Sequence, residues 1–205
     1  MNGKKEYKIE KTKLLIVEGE DERRFLNKWF IELEVTDIQV LPIGGKTKLL
    51  SELKILTTLH NFSNVESIGI LRDADEDANA AFQSVCSALE SCGLSRPSKV
   101  IERTTENPSI SILILPGYLR TGSLEDIFID SIRENPLMEC IEQYFGCVNE
   151  KLNGIPNQIG KAKVHTFLAA NINDPDKRLG ESIEADIWNL DSTAFKLLRE
   201  FIIRL

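Results

Sequence analysis

The chain has 205 residues, 42% of them hydrophobic, and 32 acidic against 25 basic side chains for a formal net charge of -7. That length suits one domain, or a domain with a helical extension, with a real hydrophobic core, and the acidic balance argues against a protein that wraps nucleic acid through a broad basic surface, since phosphate contacts are made mainly by Lys and Arg. No apolar run approaches the ~18 residues of a membrane span or forms the core of a signal peptide.

The basic start "MNGKKEYKIEKTK" reads as a solvated tail or a nucleic-acid contact. "KLLIVEG" (Lys13 to Gly19) is a continuous β-branched and leucine run closed by glycine, the pattern of a buried strand. "EDERRFLNKWFIELE" then sets Phe25, Leu26, Trp29, Phe30 and Leu33 on one helical face with charges on the other. "DIQVLPIGG" returns to strand, and "TKLLSELKILTTLHNF" is helical, with Leu49, Leu53, Leu56 and Leu59 as its stripe. "VESIGILRDAD" predicts the third strand, Glu76 to Leu94 the third helix, and "SISILILP" (Ser109 to Pro116) the fourth strand. Beyond Pro136 the pattern is helical: "PLMECIEQYFGCVNEKL", "KAKVHTFLAANI", and "DSTAFKLLREFIIRL" with Phe195, Leu198, Phe201, Ile202 and Leu205 on one face. Between them, Asn153 to Gly160 is the expected exposed loop. Trp29 and Trp188 read as core, and His60 and His165 as packing or surface residues.

Alternating strands and helices imply an α/β fold: a Rossmann-like parallel sheet covered by helices on both faces, with a C-terminal helical extension. The expectation is a single domain over residues 1–205, with the α/β core at about 12–131 and the helical part at about 135–205. The four cysteines (Cys86, Cys92, Cys140, Cys147) fall in helical patterns without zinc-knuckle spacing, so they read as reduced packing residues and point to the cytoplasm.

Right-handed crossovers bring the C-terminal ends of parallel strands to one edge, where functional groups collect. Glu18 ends the first strand, Asp73 and Asp75 end the third, and Glu125 with Asp126 follows the fourth. Carboxylates so gathered repel one another unless something neutralises them. Mg²⁺ suits such a set, because it takes hard oxygen ligands and retains waters while binding one or two carboxylates and a phosphate; the reading is one or two divalent cations, with Mn²⁺ as a substitute. For Glu20, Asp21, Glu76 and Asp77 the simpler reading is a helix cap or first-turn residue stabilised by the helix dipole. "PIGGKTKLL" places Gly44, Gly45, Lys46 and Lys48 at a helix start, either as a cradle for a substrate phosphate or as a plain strand-to-helix turn. Its glycine spacing is not that of a Walker A motif.

"LLIVEGEDE" followed by "ILRDADED" resembles the signature of TOPRIM domains, found in topoisomerases, primases, recombination proteins and OLD-type nucleases. The resemblance implies that Glu18, Asp73 and Asp75 bind Mg²⁺ for phosphoryl-transfer chemistry, with Glu18 as ligand or as proton carrier. "GSLEDIF" and "KAKVHTFLA" resemble the second acidic element and the lysine-bearing helix of OLD-type and stand-alone TOPRIM proteins. By that likeness Ser123 and Glu125 belong to a second metal site, and Lys161 or Lys163 stabilises developing charge. An ATP-driven OLD-like assembly would take its ATPase from a separate chain. Tyr7, Tyr118 and Tyr144 have no DNA-cleavage domain beside them, which argues against a topoisomerase, and the cysteines supply no primase-like zinc element.

The function so implied is a Mg²⁺-dependent TOPRIM nuclease or related phosphodiester enzyme acting on DNA or RNA. The alternative is a non-catalytic TOPRIM module that binds nucleic acid or a partner protein. A receiver-like phosphorylation domain ranks below both, because it wants paired acids after the first strand and one after the third, the reverse of this chain. The amphipathic last helix suits a homodimer contact as well as it suits the core.

Overall fold

The continuous apolar runs form one parallel sheet. In the computed structural model, which describes residues 8–183 and 187–205, its strands are β1 (Lys13–Val17), β2 (Ile38–Pro42), β3 (Ser67–Asp73) and β4 (Ser109–Leu115), in the order β2-β1-β3-β4. Leu14 lies opposite Gln39 on one side and Ile68 on the other, and Asp73 lies opposite Leu115. All strands point the same way, so Glu18, Pro42, Asp73 and Leu115 share one rim. The basic segment at residues 1–7, with Tyr7, lies outside the described residues.

Side chains alternate across a strand, so each strand serves two cores. Leu14, Ile16, Ile68, Ile70, Ile110 and Ile112 face α2 (Leu49–Thr57) and α3 (Ala78–Glu90). Leu15, Val17, Leu71, Leu113 and Leu115 face α1 (Glu20–Glu32), α4 (Leu124–Ser131), α5 (Leu137–Leu152), α6 (Ile159–Ala169), α7 (Leu179–Ser182) and α8 (Lys196–Ile203). The C-terminal helices are therefore the cover of one sheet face. Each large apolar side chain buried there contributes roughly 1.5–3 kcal/mol.

At the centre of this layer is an aromatic cluster that fixes the two helices nearest the rim. Phe25 of α1 meets Phe128 of α4 edge-on, with ring centroids 5.0 Å apart. Phe195, just before α8, lies 5.1 Å from Phe128 and 6.0 Å from Phe25. Trp188 closes on Phe128 at 4.8 Å and donates its indole N–H to the Ser182 hydroxyl. Trp29 and Trp188 are both buried, as expected, and His60 and His165 are on the surface.

Local chemistry trims the expected boundaries. The third helix starts at Ala78 instead of Glu76 because Asp77 caps it, its carboxylate accepting from the Ala80 amide at 2.9 Å. It ends at Glu90, so Cys92 lies in the following turn and not inside the helix. The second helix stops at Thr57, and His60–Asn64 forms a separate 3-10 turn. Asn153 closes α5 in the left-handed conformation, while Ile159 and Gly160, expected in a loop, begin α6. No helix among the described residues is long and apolar enough to cross a membrane.

Candidate functional site

Glu18, Asp73 and Asp75 meet with Ser123, Glu125 and Lys161 around a cleft of about 1320 Å³ at the strand ends. Gly45 and Lys46 line the same cleft, as do Glu22 and Arg72, whose part the sequence reading did not anticipate. The fold brings each of them there through a strand end or a helix start. Glu18 follows β1, Asp73 ends β3, and Glu22 and Glu125 sit in the first turns of α1 and α4.

One side of the cleft is internally neutralised. Arg72 points from the end of β3 and is buried; its guanidinium pairs with Glu18 and reaches Asp75 at 3.5 Å. Lys46 Nζ lies 2.9 Å from the same Asp75 carboxylate. Asp75 adopts φ 51°, a conformation that Asp tolerates better than most residues. Its backbone exchanges two 2.8 Å hydrogen bonds with Gly122, tying the loop after β3 to the loop after β4. Part of the answer to what neutralises "RDADED" is therefore the chain's own arginine and lysine.

The other side is not balanced in this way. Burial pushes the Asp73 carboxyl well above the usual carboxylate range, and the negative charges of Glu18, Glu125 and Glu22 push it further. The amide of Leu124, the first residue of α4, donates to Asp73 at 3.0 Å and opposes that shift without cancelling it. Glu22 is also raised, first by burial and then by Glu125, Glu18 and Asp21. Lys161 stands 4.0 Å from Glu125 and is half-exposed.

The Ser123 hydroxyl donates to Asp126 at 3.3 Å and its amide donates to the same oxygen at 2.8 Å, an N-cap arrangement for α4. Lys163 pairs with Glu142 of α5 and is not among the residues lining the cleft. The amides of Gly44 and Gly45 both donate to the Glu18 carbonyl, at 2.8 and 2.9 Å, so they tie their loop to β1 and offer no N–H to a phosphate. Lys48 is exposed and outside the cleft lining. Gly160 lets α6 start against α4, because a Cβ there would stand 2.5 Å from an Asp126 oxygen. That close approach sets Lys161 at the cleft.

A cation suits the electrostatics of Asp73, Glu18, Glu22 and Glu125, whose mutual repulsion it would relieve. As the side chains stand, however, no three Asp, Glu, His or Cys residues among the described residues form a group that could hold a metal ion. Glu18 is engaged by Arg72 and would have to turn from it to become a ligand.

Arg72 was legible only as a charge at the end of an apolar strand, and Glu22 only as a first-turn acid. Their roles come from neighbours across the sheet.

A solved structure of the C-terminal region of the OLD protein of Xanthomonas campestris pv. campestris is similar to this chain at 17% identity, covering 94% of each chain with a TM-score of 0.45. No curated protein matches. The model of a family described as a protein of unknown function, DUF3226, matches residues 12–205, and the chain belongs to that family.

Proposed function

We propose that this chain is a TOPRIM-type, Mg²⁺-dependent phosphodiester enzyme, a nuclease acting on DNA or RNA. The observation that carries the reading is the convergence of Glu18, Asp73 and Glu125, from the ends of three different strand-to-helix connections, on one cleft in which Asp73 resists ionisation.

Asp73 and Glu125, with Glu18 once it turns from Arg72, are the residues that would hold Mg²⁺ or Mn²⁺. Bound there, the ion would supply neutralising charge and polarise a phosphoryl oxygen. The chain's own groups do the rest. Lys161 offers its ammonium to a phosphate oxygen beside Glu125, a charge-assisted contact. Glu22, whose carboxyl burial and the neighbouring acids raise from its ordinary value, stands at the edge of the cleft, where it can exchange a proton with a reacting oxygen by direct reach or through one water. Arg72 keeps Glu18 and Asp75 compensated until the cation arrives. Because Asp73 binds its proton more tightly than an ordinary aspartate, cation binding and proton loss are coupled, and affinity rises with pH.

Cleavage of plasmid and single-stranded substrates with Mg²⁺ or Mn²⁺ tests this, with Asp73→Asn and Glu18→Gln as controls. Metal-dependent cutting lost in both variants supports the enzyme; cutting shared equally by wild type and variants would point to a contaminant and remove the case for catalysis. One observation favours the second reading, a non-catalytic module that binds nucleic acid or a partner protein, among them a separate ATPase chain: the Arg72 pair satisfies Glu18 without any ion. Calorimetric titration with Mn²⁺ separates the two, because the module shows no saturable heat that Asp73→Asn removes.

A further inference from the structure

The eight residues from Pro116 to Ser123 join β4 to α4, and their conformation is unusual. Gly117, Tyr118 and Leu119 take φ of 107°, 55° and 57° in succession. Glycine adopts such values freely, whereas bulky side chains there are strained and persist only where surrounding structure holds them. Both ends of this loop are held. A Cβ on the buried Gly117 would overlap Leu197, so the loop base sits against the stretch that forms α8. Gly122 is hydrogen-bonded in both directions to Asp75, and Arg120 donates to the Gly117 carbonyl at 3.1 Å and to Asp130 at 2.9 Å.

Between these fixed points the tip presents its apolar groups to water: Tyr118 is 77% exposed and Leu119 56%. Neither side chain is part of the buried core. Tyr118 is four residues from Gly122, so the two Cα atoms are at most about 14 Å apart. At the roughly 3.4 Å rise per step of a nucleic-acid strand, that is no more than about four nucleotides from the carboxylate cleft.

We infer that Tyr118 and Leu119 form a stacking platform for unpaired bases next to the phosphodiester held in the cleft, so that the substrate is single-stranded or locally opened nucleic acid. This rests on the nuclease reading above. An aromatic ring offers its face to any base, which gives binding without sequence preference. It also supplies affinity without the broad basic surface that a net charge of -7 argues against. A protein partner is the weaker fit, because two side chains fall far short of the roughly 800 Å² per partner that a stable interface buries.

The test is the anisotropy of fluorescent 20-nucleotide single strands in Ca²⁺, using one oligonucleotide with bases and one abasic throughout, against wild type, Tyr118→Phe and Tyr118→Ala. Circular dichroism melts check that the variants fold. The expectation is that Tyr118→Ala weakens binding of the base-bearing strand about tenfold or more, that Tyr118→Phe retains it, and that the abasic strand binds all three alike. If wild type cleaves and binds while Tyr118→Ala binds the base-bearing strand equally well, or loses both strands equally, the platform is overturned and the nuclease stands. If wild type neither binds nor cleaves any strand, the nuclease reading falls and the platform with it.

Discussion

The two sides of the carboxylate cleft are built from the same residue types and behave differently. Toward β2, Glu18 and Asp75 are matched by Arg72 and Lys46, and the local charges nearly cancel. Toward α1 and α4, Asp73, Glu22 and Glu125 crowd one another, with the half-exposed Lys161 beside Glu125. The difference marks where, on the function proposed above, a cation would have most to do. A carboxylate that is already paired must leave its partner before it can serve a cation, whereas a crowded one is disfavoured in its charged form without one.

Asp73→Asn breaks the comparison most deeply. It should lower metal-dependent cleavage by at least about 100-fold, since even the outer partners of metal ligands are worth 10- to 100-fold. In EDTA the same change should raise the thermal midpoint at neutral pH, because it removes a carboxyl that the fold disfavours in its charged form. The pH dependence has a definite sign. The folded-state values of Asp73 and Glu22 lie above their unfolded ones, so their contribution favours the folded state at acid pH and is lost as pH rises through the folded values. Thermal melts of the metal-free protein should therefore show wild type losing stability relative to Asp73→Asn as pH increases; parallel curves would mean that Asp73 is an ordinary surface acid.

Arg72→Met attacks the balanced side. Both partners of the Arg72–Glu18 pair are largely buried, and removing one member of such a pair typically costs about 3–5 kcal/mol, to be read from urea unfolding in EDTA. If Mg²⁺ restores much of that loss, Arg72 and the cation compete for one carboxylate. Gly160→Ala tests the packing that holds the cleft together: its new methyl meets Asp126, so a loss of about 1–3 kcal/mol in the same unfolding assay is expected, with weaker activity as Lys161 shifts. The smallest effect belongs to Lys46→Gln. Its pair with Asp75 is largely solvent-exposed, so stability should change by no more than about 1 kcal/mol, and by less still in high salt.

Much of the fold was legible because doubly covered parallel strands must be apolar throughout. "LLIV" and "SISILIL" could hardly be anything else, and the stripes Phe25, Leu26, Trp29, Phe30 and Phe195, Leu198, Phe201, Ile202 identify helices that need a core. Glu18, Asp73 and Asp75 were legible as a set because parallel topology sends every strand end to one rim. Arg72 was not, because its partner Glu18 lies 54 positions away and nothing local in "ILRDAD" indicates that the arginine turns toward it. Nor was Lys163 separable from Lys161: two positions apart on α6 they point different ways, one to Glu142 and one to the cleft.

By itself the sequence determined the order of the four strands, the apolar stripes of the helices that follow the first three, and the rim at which the acids collect, because periodicity and burial are properties of short segments; α4 and α7 were not legible in it. Only the tertiary structure decided which carboxylates are compensated and which are crowded. Charge interactions depend on through-space distance and local burial, and both are set by how α1, α4 and α6 pack on the sheet.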